Sequence, residues 1–412
     1  MCYSPFNCKY FNKSNPFPRR GLQVRCQKYM FLKVLALLIS SHVTAGVQIP
    51  LNFDAPNDSG KIQIQGKNTT LVPRIQDYME KFIASKGNQI ASVIVVEVKT
   101  GKILAMAQGL KPENWGSPVN TALHNSFPAA SLFKTISSAA AIELSNLNPD
   151  FEIGLGGGCS HVMPDGSWLR NTPIGKFGGI SLRKAYGLSC NGYFARLAVS
   201  DLGLGVVNDF AHRFGFDRPI PADFDIPVSP LNSPNPQTSS ANTVGAFAAG
   251  FGLVGLAPAL SAWQMLAIAN DGAPMPLRIL EDSSPSMPPM PRVISEDAAK
   301  VLRNVMSQTV LRGTATAAFR NRKYTAIRPL AGGKTGTLNG KSPEGLTTWF
   351  AGMMPLGRPE VVVTAVTVAG QRWVIKAPQI ASEALWIYNE VKNGRSATYA
   401  QDTELRRRKR KS

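Results

Sequence analysis

The chain has 412 residues, of which 44% are hydrophobic and 17% charged, so it can bury one large core or two modest ones, and disorder is excluded except at the ends. Its net charge of +19 is unevenly placed: residues 1–45 hold seven Lys/Arg and no acid, Arg406 to Lys411 add six more, and subtraction leaves +6 for the body. That body carries no basic stripe interleaved with aromatics, which argues against a nucleic-acid partner.

Residues 1–45 read as a targeting segment. Met30-Phe31-Leu32-Lys33 leads into an apolar run from Val34 to Ile39, and Val43-Thr44-Ala45 follows as a small-residue exit. The run is short for a membrane span, so a cleaved secretory signal is preferred over an uncleaved anchor. Either places the body outside the cytoplasm, in the periplasm or held at the inner membrane. Cys2, Cys8 and Cys26 precede the exit, which leaves Cys159 and Cys190 as one disulfide or two free thiols.

Residues 46–70 are polar and turn-rich and are expected to be an exposed linker. Helical spacing follows from Leu71 to Ser85 through Ile75, Tyr78, Met79, Phe82 and Ile83. Ala91 to Val98, a Thr100-Gly101 turn and Lys102 to Met106 read as a β-hairpin. Three more strand-like runs, Leu330 to Thr337, Thr347 to Met354 and Glu360 to Ala369, precede a closing helix from Pro378 to Lys392. Two strands at the start and three at the end predict one antiparallel five-stranded sheet completed by both ends of the chain, an α+β fold with an inserted helical middle. Within that middle, Ala257 to Ala269 reads as a buried helix begun by Pro258. The Pro-rich stretches 217–242 and 274–292 are expected to wrap the surface as irregular connectors. The basic end, 393–412, is expected to be a disordered tail, with contact to anionic lipid as its sharper use.

Ser131-Leu132-Phe133-Lys134 heads an apolar segment in which Phe133, Ile136, Ala140, Leu144 and Leu147 recur at steps of three and four, predicting a helix with a buried stripe. Ser131 and Lys134 then share a face one turn apart, where an amine with a lowered pKa can take the serine's proton. Ser189-Cys190-Asn191 places a hydroxyl and an amide two apart; on its own the stretch also fits a helix N-cap. Lys334-Thr335-Gly336-Thr337 lies on a strand that could align an extended peptide, with Lys334 facing a carboxylate and Thr337 offering a backbone N–H to an oxyanion. Gly333-Lys334-Thr335 mimics the end of a phosphate loop, but Arg328 stands where that loop needs its first glycine. The four histidines show no metal-ligand spacing and no G-x-S-x-G elbow is present, so lysine is the better base candidate and no metal or cofactor is expected.

In this order and at these spacings, the three motifs resemble the penicillin-binding protein transpeptidase domain, kin to the serine β-lactamases. Gly252 to Pro258, Trp263 to Gly272, Gly313-Thr314-Ala315 and Phe350 to Pro355 are also similar to stretches of cell-wall synthases, and the likeness covers residues 71–392. The resemblance implies a covalent mechanism on peptidoglycan stem peptides ending in D-Ala-D-Ala, with β-lactams trapped as imitators of that end. Ser131 would be the nucleophile and Lys134 its base. The N–H groups of Ser131 and Thr337 would form the oxyanion hole, and Ser189 would relay a proton with help from Lys134 or Lys334. Asn191 would bind the substrate amide, and Lys334, Thr335, Gly336 and Thr337 would form the strand that receives the peptide and its carboxylate. Two departures stand out: Ala130 precedes the nucleophile where the synthases commonly have glycine, and Cys190 in the second motif could tie to Cys159 and brace its loop. A D,D-transpeptidase or carboxypeptidase is the leading expectation, ahead of a β-lactamase or a non-catalytic penicillin-recognising sensor.

Overall fold

The computed structural model describes residues 48–50, 52–110, 120–145, 147–155, 158–159, 171–172, 179–283, 290–341, 343–370, 375–395, 398–399 and 402. The expected targeting segment and the Arg406 to Lys411 run lie outside them, and among the described residues no helix is long and apolar enough to cross a membrane.

In chain order the main elements are β1 (Gln63–Ile64), β2 (Lys67–Asn68), α1 (Pro73–Ala84), β3 (Ile90–Glu97), β4 (Ile103–Leu110), a 3-10 turn (Ala130–Phe133) running into α2 (Lys134–Ser145), β5 (Glu152–Leu155), β6 (Asn171–Thr172) and β7 (Ile180–Ser181). There follow α3 (Leu182–Leu188), α4 (Asn191–Arg196) prolonged by a π-helical turn (Leu197–Leu202), α5 (Leu204–Arg213), α6 (Ala241–Ala248), α7 (Pro258–Ala269) and α8 (Glu296–Leu311), then β8 (Gly332–Lys341), β9 (Glu344–Met354), β10 (Val361–Ala369) and α9 (Ala377–Lys392).

The five-stranded sheet has the order β4-β3-β10-β9-β8 with every neighbouring pair antiparallel. The last strand to be made therefore lies in the middle, where Val363 pairs Val95 on one side and Gly352 on the other. Every residue of β10 is buried, as suits a Val/Thr run covered on both faces. Val361, Val363 and Ala365 join the core shared with α1 and α9. Thr364, pointing the other way by the strand's alternation, meets the Ser261 hydroxyl of α7 at 3.3 Å. The sheet closed by both chain ends and the buried helix after Pro258 are thus both present, and β8 is left as an edge.

The structure differs from expectation in four places. First, residues near the end of the expected linker pack inward, with Ile62 and Ile64 each 3% exposed. Second, the stretch 274–292 does more than wrap the surface: Leu277 and Ile279 are fully buried, and the Arg278 carbonyl accepts from the Ile103 N–H at 2.7 Å. Single backbone bridges between prolines satisfy such a segment where a continuous ladder cannot form. Third, the expected tail begins by docking, since Tyr399 meets the Tyr78 ring edge-on and the Asp402 carboxylate accepts from the Tyr78 hydroxyl at 3.0 Å. Fourth, α2 has no apolar stripe. Thr135, Ser137, Ser138 and Ala139 to Ala141 are all buried, so it is enclosed on every side, whereas Leu144 at its emerging end is 51% exposed.

Candidate active site

Ser131 lies on the 3-10 turn before α2 rather than inside the helix. With three residues per turn, positions i and i+3 eclipse. The Lys134 ammonium nitrogen accordingly sits 2.6 Å from Ser131 Oγ. The turn is held from below, where Trp349 on β9 donates its indole N–H to the Pro128 carbonyl at 2.9 Å and meets the Phe127 ring edge-on.

The second motif forms the sharp join between α3 and α4. Ser189 is left-handed (φ 58, ψ 40), and its N–H returns to the Tyr186 carbonyl at 3.1 Å. This bend aims two side chains at two different lysines. Asn191 Oδ1 accepts from Lys134 at 2.9 Å, and Ser189 Oγ accepts from Lys334 at 2.9 Å. Cys190 between them is bonded to Cys159, with the two Cα atoms 4.4 Å apart.

The third motif occupies edge strand β8, where Lys334, Thr335, Gly336 and Thr337 pair with Ala351, Phe350, Trp349 and Thr348. Lys334 and Thr335 are buried, whereas Thr337 is exposed at the lip. A Cβ on Gly336 would meet Trp349 side-chain atoms at 3.2 Å and the Ala130 Cβ at 3.3 Å, so glycine lets the strand lie against the nucleophile turn.

Both lysines are fully buried, and among the described residues neither forms an ion pair. Burial lowers Lys134 well below the usual lysine range, and the neighbouring Lys334 charge lowers it further. Burial alone brings Lys334 down to about 7. Lys134 is surrounded by acceptors instead of counter-charges: Ser131 Oγ, Asn191 Oδ1 and the Ala249 carbonyl, the last at 2.6 Å. Lys334 has Ser189 Oγ and the Thr335 carbonyl, the latter at 3.0 Å. An amine so placed can accept a serine proton near neutral pH.

Of the eight residues singled out from the sequence, Ser131, Lys134 and Asn191 are joined by hydrogen bonds, as are Ser189 and Lys334, and Thr335, Gly336 and Thr337 continue β8, which passes the Ser131 turn at Gly336. The sequence reasoning did not find the Ala249 carbonyl. Its one signal is the small-residue run up to Gly250, where φ is +90 and a Cβ would fall 2.0 Å from the Ala130 carbonyl oxygen. Nor did it give a part to the Thr314 hydroxyl, which is hydrogen-bonded to that of Thr335. Phe251 was also missed; it is exposed, and its ring centroid lies 5.9 Å from the Lys134 nitrogen.

The penicillin binding protein transpeptidase domain family matches residues 91–385. The peptidoglycan D,D-transpeptidase PbpA of Mycolicibacterium smegmatis is 26% identical over 338 residues, which are 74% of this chain and 67% of that protein. The protein of the same name in Mycobacterium tuberculosis is 28% identical over 240 residues, 50% of this chain and about half (47%) of that protein's length. The crystal structure of PBPA from Mycobacterium tuberculosis shares the fold with a TM-score of 0.60 at 23% identity, covering 79% of this chain and 80% of that one. With a match over most of its length and a cleft in which two buried lysines each hold a serine hydroxyl, this chain belongs to the penicillin binding protein transpeptidase domain family.

Proposed function

We propose that this protein is a serine D,D-transpeptidase or carboxypeptidase that acts on the D-Ala-D-Ala end of peptidoglycan stem peptides and is acylated by penicillins. The observation that carries this reading is the 2.6 Å contact between Lys134 Nζ and Ser131 Oγ, made by an amine buried without a carboxylate partner. Neutral Lys134 takes the hydroxyl proton as Ser131 Oγ attacks the penultimate D-Ala carbonyl. The negative charge that develops on the carbonyl oxygen falls to the backbone N–H groups of Ser131 and Thr337. Collapse of that intermediate breaks the peptide bond. The departing D-Ala amine takes its proton from Ser189, which is resupplied by Lys334 at 2.9 Å. The ester left on Ser131 then passes to an amine, giving a cross-link, or to water.

Asn191 holds the substrate amide, and Lys334, Thr335 and Thr337 receive the terminal carboxylate. Because Lys334 sits near 7 in the empty site, an arriving carboxylate tips it to the charged form, so binding and charge arrive together. Residues 1–45, read as a targeting segment, support a location outside the cytoplasm for this chemistry, and the basic run Arg406 to Lys411 supports contact with an anionic membrane surface.

The test is intact-mass spectrometry of the full-length protein with benzylpenicillin, followed over hours beside Ser131→Ala. A lasting adduct absent from the variant, together with D-Ala release from a stem-peptide mimic, is expected. Rapid drug hydrolysis with no adduct would indicate a β-lactamase instead, and an adduct without D-Ala release would indicate a sensor.

A further inference from the structure

We propose that the Cys159–Cys190 bond, with the strand that leads to it, is a positioning clamp on the helix bearing Asn191, so that acyl transfer at Ser131 requires the bond to be closed. The proposal rests on the acyl-transfer function above and adds a dependence that function does not contain.

Helix α4 is short and lacks a side-chain cap at its start. It is held at both ends by one neighbouring segment. At its first residue the Asn191 N–H donates to the Cys159 carbonyl at 2.8 Å, and the adjacent Cys190 is covalently joined to the same Cys159. At its last residue the buried Arg196 guanidinium donates to the Gly154 carbonyl of β5 at 3.0 Å. β5 in turn pairs with β7, which runs directly into α3, the helix on the other side of the Ser189 turn. The turn is thus enclosed in a loop of connections that closes through the disulfide.

What lies in the turn explains why closure matters. Ser189 adopts a left-handed backbone that a serine takes up only where its surroundings impose it. Two catalytic hydrogen bonds depend on that bend, Ser189 to Lys334 and Asn191 to Lys134. Cys190 is 1% exposed, so its sulfur is packed in the interior and fixes the middle of the motif from behind. Cys159 is half-buried, the more exposed partner of the pair. A water-soluble phosphine opens the bond by giving it two electrons; the two sulfurs take up two protons, and the phosphine takes an oxygen from water to become its oxide. Opening removes the covalent tie and leaves the turn to hydrogen bonds alone, among them those of the Asn191 N–H and Arg196.

The experiment follows acylation by benzylpenicillin under rapid mixing over a range of drug concentrations, which separates reversible binding from the bond-forming rate constant. It compares the full-length protein oxidised, phosphine-reduced and reoxidised, together with Cys159→Ser, and circular dichroism confirms that each sample is folded at the assay temperature. The expected result is a bond-forming rate constant lower by about 10-fold or more in the reduced protein and the variant, since misplacements of about 1 Å carry effects up to about 10²-fold. Reversible binding is expected to change by less than about 3-fold, because the carboxylate site on β8 is untouched. Reoxidation should restore the rate in the wild type and not in Cys159→Ser. If the variant fails to fold, the reduced wild type decides the question. A folded, reduced protein that acylates as fast as the oxidised one overturns the proposal, for the bond would then only add stability. An oxidised protein that forms no adduct also overturns it, and that result marks the acyl-transfer reading itself as the point of failure.

Discussion

The cleft has two walls built on different terms. The strand wall, Lys334 to Thr337, is one register of a continuous ladder whose neighbours β9 and β10 are buried over nearly all their length. Each residue there is placed by its partner on β9, which is itself held on its far side by β10, so a continuous ladder fixes its position. The helix wall brings Ser131, Lys134, Ser189 and Asn191 together from three short segments, and discrete ties place them: two left-handed residues, a disulfide and one backbone carbonyl. The strand wall should therefore tolerate the loss of single contacts and resist crowding, whereas the helix wall is expected to be sensitive to the loss of a single tie.

The largest expected effect is on the helix wall. Lys134→Ala removes the only amine within reach of Ser131 among the described residues, and acylation by benzylpenicillin should slow by about 10³-fold, within the span of a lost general base. Stopped-flow measurement that finds less than a tenfold loss would transfer the base role to Lys334. On the strand wall the matching perturbation is steric. A Cβ on Gly333 would lie 2.3 Å from the Ala351 carbonyl oxygen and 2.8 Å from the Gly352 Cα. Gly333→Ala should therefore lower unfolding stability by about 3 kcal/mol, as overpacking does. Equilibrium unfolding in urea reports it, and an unchanged midpoint would mean that β8 moves freely on β9, contrary to the contrast drawn here.

The same contrast governs how much could be read from the sequence. The strand wall was legible: three strand-like runs near the end of the chain marked the strands, and the Lys-Thr-Gly-Thr run fell on one of them. On the helix wall, the spacing of Ser131 and Lys134 was legible because it lies in side chains three apart. The ties were not. The Ala249 carbonyl is a backbone acceptor with no residue signature, and the positive φ of Ser189 or Ala130 leaves no trace when the residue is not glycine. Leu144 was misplaced because its spacing is right but the helix has emerged from the protein by that turn. Cys159 and Cys190 were the right pair to consider, but whether they meet depends on how β5 lies across α4, which is a property of the fold.

The two lysines extend the contrast to pH. A buried amine whose pKa lies below its unfolded value of about 10.4 binds fewer protons in the native state than in the unfolded one between those two values. Lys334, near 7, should thus make stability rise with pH from about 7 to about 10, with the full charge penalty present below. The Tm of the wild type should climb across that window more steeply than that of Lys334→Met; parallel curves would show that Lys334 is not titrating there. In the free enzyme, acylation by a carboxylate-bearing drug should rise with pH as Lys134 loses its proton and fall above about 7 as Lys334 loses the charge that holds the carboxylate. Lys334→Met should lack the falling limb.

The smallest effect tests Ala130, the residue before Ser131. Ala130 precedes the nucleophile with φ +48, a left-handed position that glycine adopts freely and alanine does not. The close approach of Gly250 to its carbonyl and of Gly336 to its Cβ accounts for how the alanine is held there. Replacing it relieves about 1–2 kcal/mol of backbone strain but gives up about 0.5–1 kcal/mol to the freedom glycine has when unfolded. Ala130→Gly should therefore stabilise the protein by about 0.5–1 kcal/mol, measured as a modest rise in urea midpoint. The acylation rate should hold or fall slightly, because the methyl group that abuts Gly336 also restrains the turn carrying Ser131. A clear loss of stability would mean that the Ala130 methyl's packing against β8 outweighs the strain, and the nucleophile turn would then belong with the strand wall in being held by contacts on all sides.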